Sequence, residues 1–89
     1  MENQKEHEME KKKILIVDDE PDVLILLGER LVKAGYDVIK ASSGKEAIEL
    51  AVKKLPNLII LDIAMPVMDG SEVASILRSD PKTKDIPIL

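Results

Sequence analysis

The chain has 89 residues, 45% hydrophobic and 34% charged, the balance of one folded globular domain that buries about 60 to 70% of its unfolded surface. A net charge of −4 and a single aromatic residue, Tyr36, argue against nucleic-acid binding, which draws on basic surface and stacking rings. Without cysteine there is no disulfide framework or thiolate metal site, and the apolar runs fall far short of the roughly 20 residues of a membrane span; with no signal-peptide pattern, a cytoplasmic location is expected.

Residues 1–11 are nearly all charged or polar and lack any period that could build an apolar face, so they read as a disordered tail before a domain over 12–89. His7 falls in that tail and reads as a solvated side chain, and Lys11 to Lys13 as a soluble flank. Ile14-Leu15-Ile16-Val17 is too short for a buried helix and too uniformly apolar for a half-exposed strand. It predicts a strand covered on both faces.

Asp18-Asp19-Glu20-Pro21 suits a helix start, with a carboxylate at the cap and proline in the first turn. Leu24, Leu27, Leu31 and Ala34 then follow at helical spacing, and Gly35 stops the helix. The segment Tyr36 to Ala41 alternates more and predicts an edge strand. Ser43-Gly44-Lys45-Glu46 matches the capping-box pattern, in which hydroxyl and carboxylate each satisfy an orphan amide, ahead of a helix whose buried stripe is Ala47, Ile48, Ala51, Val52 and Leu55.

After Pro56-Asn57, Leu58-Ile59-Ile60-Leu61 predicts a third, fully covered strand, followed at once by Asp62. Met65-Pro66-Val67-Met68-Asp69-Gly70 has turn chemistry, with the methionines as gap fillers, Asp69 serving the turn and Ser71 capping a helix that carries Val73, Ala74, Ile76 and Leu77. Ser79-Asp80-Pro81 breaks that helix, and Ile86 to Leu89 opens a fourth strand. Strict strand and helix alternation implies an α/β fold, a parallel sheet with helices on both faces in three layers.

In such a sheet, functional groups gather beyond the carboxyl ends of the strands, where the strand order reverses. With the flavodoxin-like order 2-1-3-4 the first and third strands are neighbours, so Asp18, Asp19 and Asp62 should share one crevice. Carboxylates about 4 Å apart repel by on the order of 4 kcal/mol at an effective dielectric near 20, which a hard divalent cation such as Mg²⁺ would offset. A carboxylate beside that ion can attack phosphorus to form an acyl phosphate. Asp62 stands alone at its strand end and suits the nucleophile, although layout by itself leaves the roles exchangeable. Taken singly, capping accounts for the aspartate pair and solvation for Asp62; the shared crevice is what favours a metal site.

The I-L-I-V-D-D-E run at Ile14 to Glu20, the L-I-I-L-D run at Leu58 to Asp62 and the M-P-V-M-D-G turn at Met65 to Gly70 together resemble the receiver domain of two-component response regulators. The resemblance covers nearly all of the chain from Lys12 to Leu89. It implies that Asp62 is the phosphoacceptor, that Asp18 and Asp19 hold Mg²⁺, and that the backbone carbonyl of Ala64 completes the metal shell. It also implies a histidine kinase or histidine phosphotransfer protein as partner, docked on the first helix around Leu24 to Leu31.

Receivers continue through a switch hydroxyl after the fourth strand, a fifth strand ending in lysine and the last helices, on the order of 30 or more residues that have no counterpart here. The expectation is therefore slow or absent phosphorylation, a marginal fold and self-association through an exposed fourth-strand edge. Two other classes fit less well. A metal-dependent phosphohydrolase commonly has a second acid two residues after its nucleophile, where this chain has Ala64. A nucleotide or flavin binder would need glycine or hydroxyl residues to cradle phosphate, where this chain has Asp18-Asp19-Glu20.

Overall fold

The computed structural model describes residues 11–62, 65 and 67–89. The elements follow in the expected alternation: β1 (Lys13–Val17), α1 (Pro21–Lys33), β2 (Asp37–Ala41), α2 (Gly44–Lys54), β3 (Leu58–Leu61) and α3 (Gly70–Ser79). Most of the expected tail, residues 1–10, lies outside the described residues. Among those described, no helix is long and apolar enough to cross a membrane.

The strands form a parallel sheet in the order β2-β1-β3. Lys13 to Val17 run opposite Asp37 to Ala41, and Ile14 to Val17 opposite Leu58 to Leu61. The expected fourth strand is reduced to a parallel bridge between Ile88 and Ile59, on the far side of β3. Hydrogen bonds from the Ile59 N–H to the Pro87 carbonyl (2.9 Å) and from the Leu89 N–H to the Ile59 carbonyl (2.8 Å) hold it there. The order 2-1-3-4 thus stands as expected, with proline in a position that needs no donor.

Alternation along the strands sorts the core into two halves. Ile14 and Ile16 of β1, with Val38, Leu58 and Ile60, pack under α1 through Leu24, Leu27 and Leu31. Leu15 and Val17, with Ile39, Ala41, Ile59 and Leu61, face α2 and α3 through Ala47, Ala51, Val73 and Leu77. This is why β1 and β3 carry no polar residue between their ends: both faces are covered, so neither parity can tolerate one. Met65 belongs to the second half and Met68 packs against it, as gap fillers should.

The helix stripes are narrower than their spacing suggests. Leu55, placed in the stripe of α2, is instead half-exposed with a left-handed backbone at φ 49°, because the chain must reverse there to enter β3. Ala34, the C-cap just beyond the last residue of α1, and Ile76 of α3 are also exposed.

Three caps differ from expectation. No side chain caps α1; the Asp18 carboxylate instead accepts the Glu20 N–H (2.9 Å), closing the turn before the helix. At α2 the Ser43 hydroxyl accepts the Glu46 N–H (3.2 Å) as expected, but the Glu46 carboxylate reaches one residue further and accepts the Ser42 N–H (2.8 Å). The complete capping box belongs to α3, where Asp69 is the N-cap and pairs reciprocally with Glu72. Ser71, expected at that cap, lies inside the helix because Gly70 already has helical backbone.

Beyond α3, the buried Thr83 hydroxyl donates to the Leu77 carbonyl (2.7 Å), and the Arg78 guanidinium donates to the carbonyls of Lys84 (3.0 Å) and Ile86 (2.8 Å). These bonds fix the segment that delivers Ile88 to the sheet. Replacing Thr83 by valine keeps the shape and removes the donor, and should lower unfolding stability by about 1 kcal/mol in urea titration. Gly44→Ala should cost more, about 1 to 3 kcal/mol in the same measurement, because a Cβ at that site would stand 2.8 Å from Val73 Cγ2 and 3.0 Å from Met68 Sδ.

Candidate metal centre

The pairing of β1 with β3 places Val17 opposite Leu61, so the next residue of each strand, Asp18 and Asp62, leaves the sheet at the same level. Backbone bonds hold both exits. The Asp62 N–H donates to the Val17 carbonyl (3.0 Å), and the Asp18 N–H donates to the Ala41 carbonyl of β2 (3.1 Å). The three strand ends are therefore clamped together immediately beside the acidic residues.

One carboxylate oxygen from each of Asp18, Asp19 and Asp62 lies within 4.8 Å of the others. Convergence of the two acidic strand ends, expected from topology, is what the fold produces. Asp18 and Asp62 are half-buried and Asp19 is exposed, so the cluster has a protein side and a solvent side. Below it, Ile16, Leu24, Leu27 and Ile60 line a cavity of about 160 Å³ that reaches Asp18 and Asp62. Apolar walls beneath lower the local dielectric, which strengthens the repulsion among the carboxylates.

The donor set is entirely oxygen, partly shielded and close enough to be shared by one ion. That chemistry fits a hard divalent cation of the Mg²⁺ class, which takes one or two carboxylates and completes its shell with water or phosphate oxygens. Ala64, whose carbonyl the resemblance adds to the shell, lies outside the described residues.

On α1, Leu24 is buried beneath the helix, so the expected docking stretch Leu24 to Leu31 cannot present it. The exposed large apolar residues of α1 are Val23, Ile25, Leu26 and Val32. A larger hollow of about 550 Å³ between α1 and β2 is lined by Gly28, Val32, Val38 and Lys40 and includes none of the three aspartates, so chemistry rather than volume singles out the site.

Sequence reasoning missed one feature of this end of the sheet. Val67, in the loop after Asp62, has a left-handed backbone at φ 67° and is fully exposed. The only signal for it was a β-branched residue beside the proline of the Met65 to Gly70 turn.

Comparison with known proteins agrees with the geometry. The family model described as "Response regulator receiver domain" matches residues 14–89. A probable transcriptional regulator ycf27 from Porphyra purpurea is 46% identical over 89 residues, all of this chain and 33% of that protein. The alkaline phosphatase synthesis transcriptional regulatory protein PhoP of Bacillus subtilis is 51% identical over 67 residues, 75% of this chain and 28% of that protein. The chain thus spans about a third of the length of the curated relatives it matches. Among solved structures, the N-terminal domain of a response regulator receiver protein from Methanoculleus marisnigri superposes with a TM-score of 0.84 at 40% identity, covering 86% of this chain and 63% of that one. The response regulator TrrA of Thermotoga maritima, solved in complex with Mg²⁺-BeF, superposes with a TM-score of 0.80 at 44% identity, covering 86% and 65%. With its parallel sheet in this order, its acidic strand ends and these relatives, the chain belongs to the response regulator receiver domain family.

Proposed function

We propose that the chain is a phosphoacceptor of a two-component phosphorelay, taking a phosphoryl group from the phosphohistidine of a histidine kinase or histidine phosphotransfer protein onto Asp62. The observation that carries this reading is the convergence of three carboxylates at the carboxyl ends of β1 and β3. Asp18, Asp19, Asp62 and the Ala64 carbonyl would hold Mg²⁺, which when bound neutralises charge on the phosphoryl oxygens. The complex of TrrA with Mg²⁺-BeF supports the same assignment by family likeness.

In the transfer, an Asp62 carboxylate oxygen forms a bond to phosphorus while the bond between phosphorus and the donor imidazole nitrogen breaks. The imidazole keeps the electron pair and takes up a proton. Asp62 suits this role because no acid adjoins it along the chain, while Asp18 is followed directly by Asp19 and is oriented by accepting the Glu20 N–H. The product is a signalling state rather than a released metabolite, so the chain acts as an acceptor and not as a turnover enzyme. Docking of the donor would use the outward residues Val23, Ile25 and Leu26 of α1.

Incubation with Mg²⁺ and phosphoramidate, followed by intact-mass measurement, should add a single phosphoryl group to the unaltered chain and none to an Asp62→Ala variant. A phosphoryl group retained in Asp62→Ala would overturn the assignment. Asp19→Asn removes one ligand charge from the solvent side of the cluster. Calorimetric titration should show its Mg²⁺ affinity reduced by at least the roughly 10- to 100-fold that loss of a merely supporting group costs a metal site.

A further inference from the structure

The last row of hydrogen bonds across the sheet does not end at β2, its edge strand. The Asp62 N–H donates to the Val17 carbonyl (3.0 Å), and the other end of that same peptide group, the Asp18 N–H, donates to the Ala41 carbonyl (3.1 Å). The Ala41 carbonyl belongs in turn to a peptide group whose N–H, that of Ser42, donates to the Glu46 carboxylate (2.8 Å). Two peptide groups thus join the backbone of Asp62, through that of Asp18, to a side chain on α2.

Glu46 is well placed to hold that end. It lies in the first turn of α2, its own N–H donates to the Ser43 hydroxyl (3.2 Å), and the next residue, Ala47, is fully buried in the core beside the sheet. The Ser42 hydroxyl donates to the same carboxylate oxygen (3.2 Å), so two donors fix it. In an ordinary capping box that carboxylate would accept the N-cap N–H, which here is that of Ser43. It reaches past it to Ser42, the one amide that continues the row.

A peptide group bonded at both ends has little freedom to tilt, and each bond in such a chain polarises the next. Asp18 is held twice, by its N–H in the row and by its carboxylate, which accepts the Glu20 N–H (2.9 Å). Tilting the Ala41–Ser42 peptide would turn the Asp18 backbone, and with it the oxygen that Asp18 offers beside those of Asp19 and Asp62. Glu46 is exposed, so water and salt screen its charge, and the direction of its bond is the larger contribution.

We infer that Glu46 is a positioning residue for the metal centre: it anchors the last row of the sheet and thereby sets how Asp18 and Asp62 present their carboxylates to a divalent cation. This rests on the metal-assisted phosphoacceptor reading above and adds to it a residue of α2 that acts through the backbone.

The test measures Mg²⁺ affinity by calorimetric titration, backbone amide shifts by NMR and stability by urea titration in three variants. Glu46→Ala removes the acceptor while favouring the helix, Glu46→Gln keeps an acceptor oxygen without the charge, and Ser43→Ala removes the other side-chain bond at the start of α2 but leaves the row intact. Glu46→Ala should bind Mg²⁺ about tenfold more weakly, the lower end of what loss of a supporting group costs a metal site. Its amide proton resonances should move upfield at Asp18 and Asp62 as well as at Ser42. Glu46→Gln should bind within about threefold of the unaltered protein, since a screened surface charge acts weakly. Ser43→Ala should unfold at lower urea yet keep its Mg²⁺ affinity and the Asp18 and Asp62 resonances.

Unchanged affinity in Glu46→Ala would overturn the inference. Equal losses in Glu46→Ala and Glu46→Gln would assign the effect to charge, and a matching loss in Ser43→Ala would assign it to the cap of α2; either result overturns it as well. If the unaltered chain binds Mg²⁺ but takes no phosphoryl group from phosphoramidate, the phosphoacceptor reading fails while these affinities still decide the role of Glu46. If it binds no Mg²⁺, the metal centre and this inference fall together.

Discussion

The structure depends on the register between β1 and β3. Parallel pairing that sets Val17 against Leu61 makes the two strands end at one level, and the Asp62 N–H bond to the Val17 carbonyl locks that level in place. A slip of one residue would turn Ile14 and Ile16 from the α1 face to the other, exchanging two covered apolar sets that differ in shape. It would also part Asp18 from Asp62. Packing and site geometry are thus specified by the same hydrogen-bond ladder, and neither can be altered alone.

The ladder in turn requires its two faces to be covered by different helices. On one side α1 supplies leucines that reach over Ile14 and Ile16. On the other, α2 and α3 approach closely because Ala47, Ala51 and Gly44 are small, and Val73 and Met68 fill the space those residues leave. The segment after α3 is held by the Thr83 and Arg78 hydrogen bonds together with Ile86 and Ile88, which pack against the core, so both position the last bridge of the sheet. Dense packing near the sheet centre gives way to polar fastening at its margin.

The acidic end carries the stress that such a rigid frame permits. Carboxylates drawn together by register repel one another, and the frame, not their mutual attraction, keeps them close. The loop after Asp62 adds a strained valine and a hollow walled by methionines. Charge and strain both sit at the end of the sheet where strands stop and loops begin, where a scaffold can hold unfavourable groups without losing its core.

Much of this was legible in the order of residues. Uniformly apolar Ile14 to Val17 and Leu58 to Leu61 could only be strands covered on both faces, and their alternation with helical spacings left few topologies other than a parallel three-layer sheet. The acids that follow both strands made their convergence an expectation, and the motif from Met65 to Gly70 pointed to the family. Tertiary structure alone decided what depends on distance and local backbone path. It brought the carboxylate oxygens within 4.8 Å of one another, and it set the choice of Asp69 over Ser71 as cap, the reach of Glu46 to Ser42, and the exposure of Leu55 and Val67. The physical reason is that periodicity reports which face of an element is buried. It does not report where the chain must turn to enter the next element, and these residues all lie at such turns.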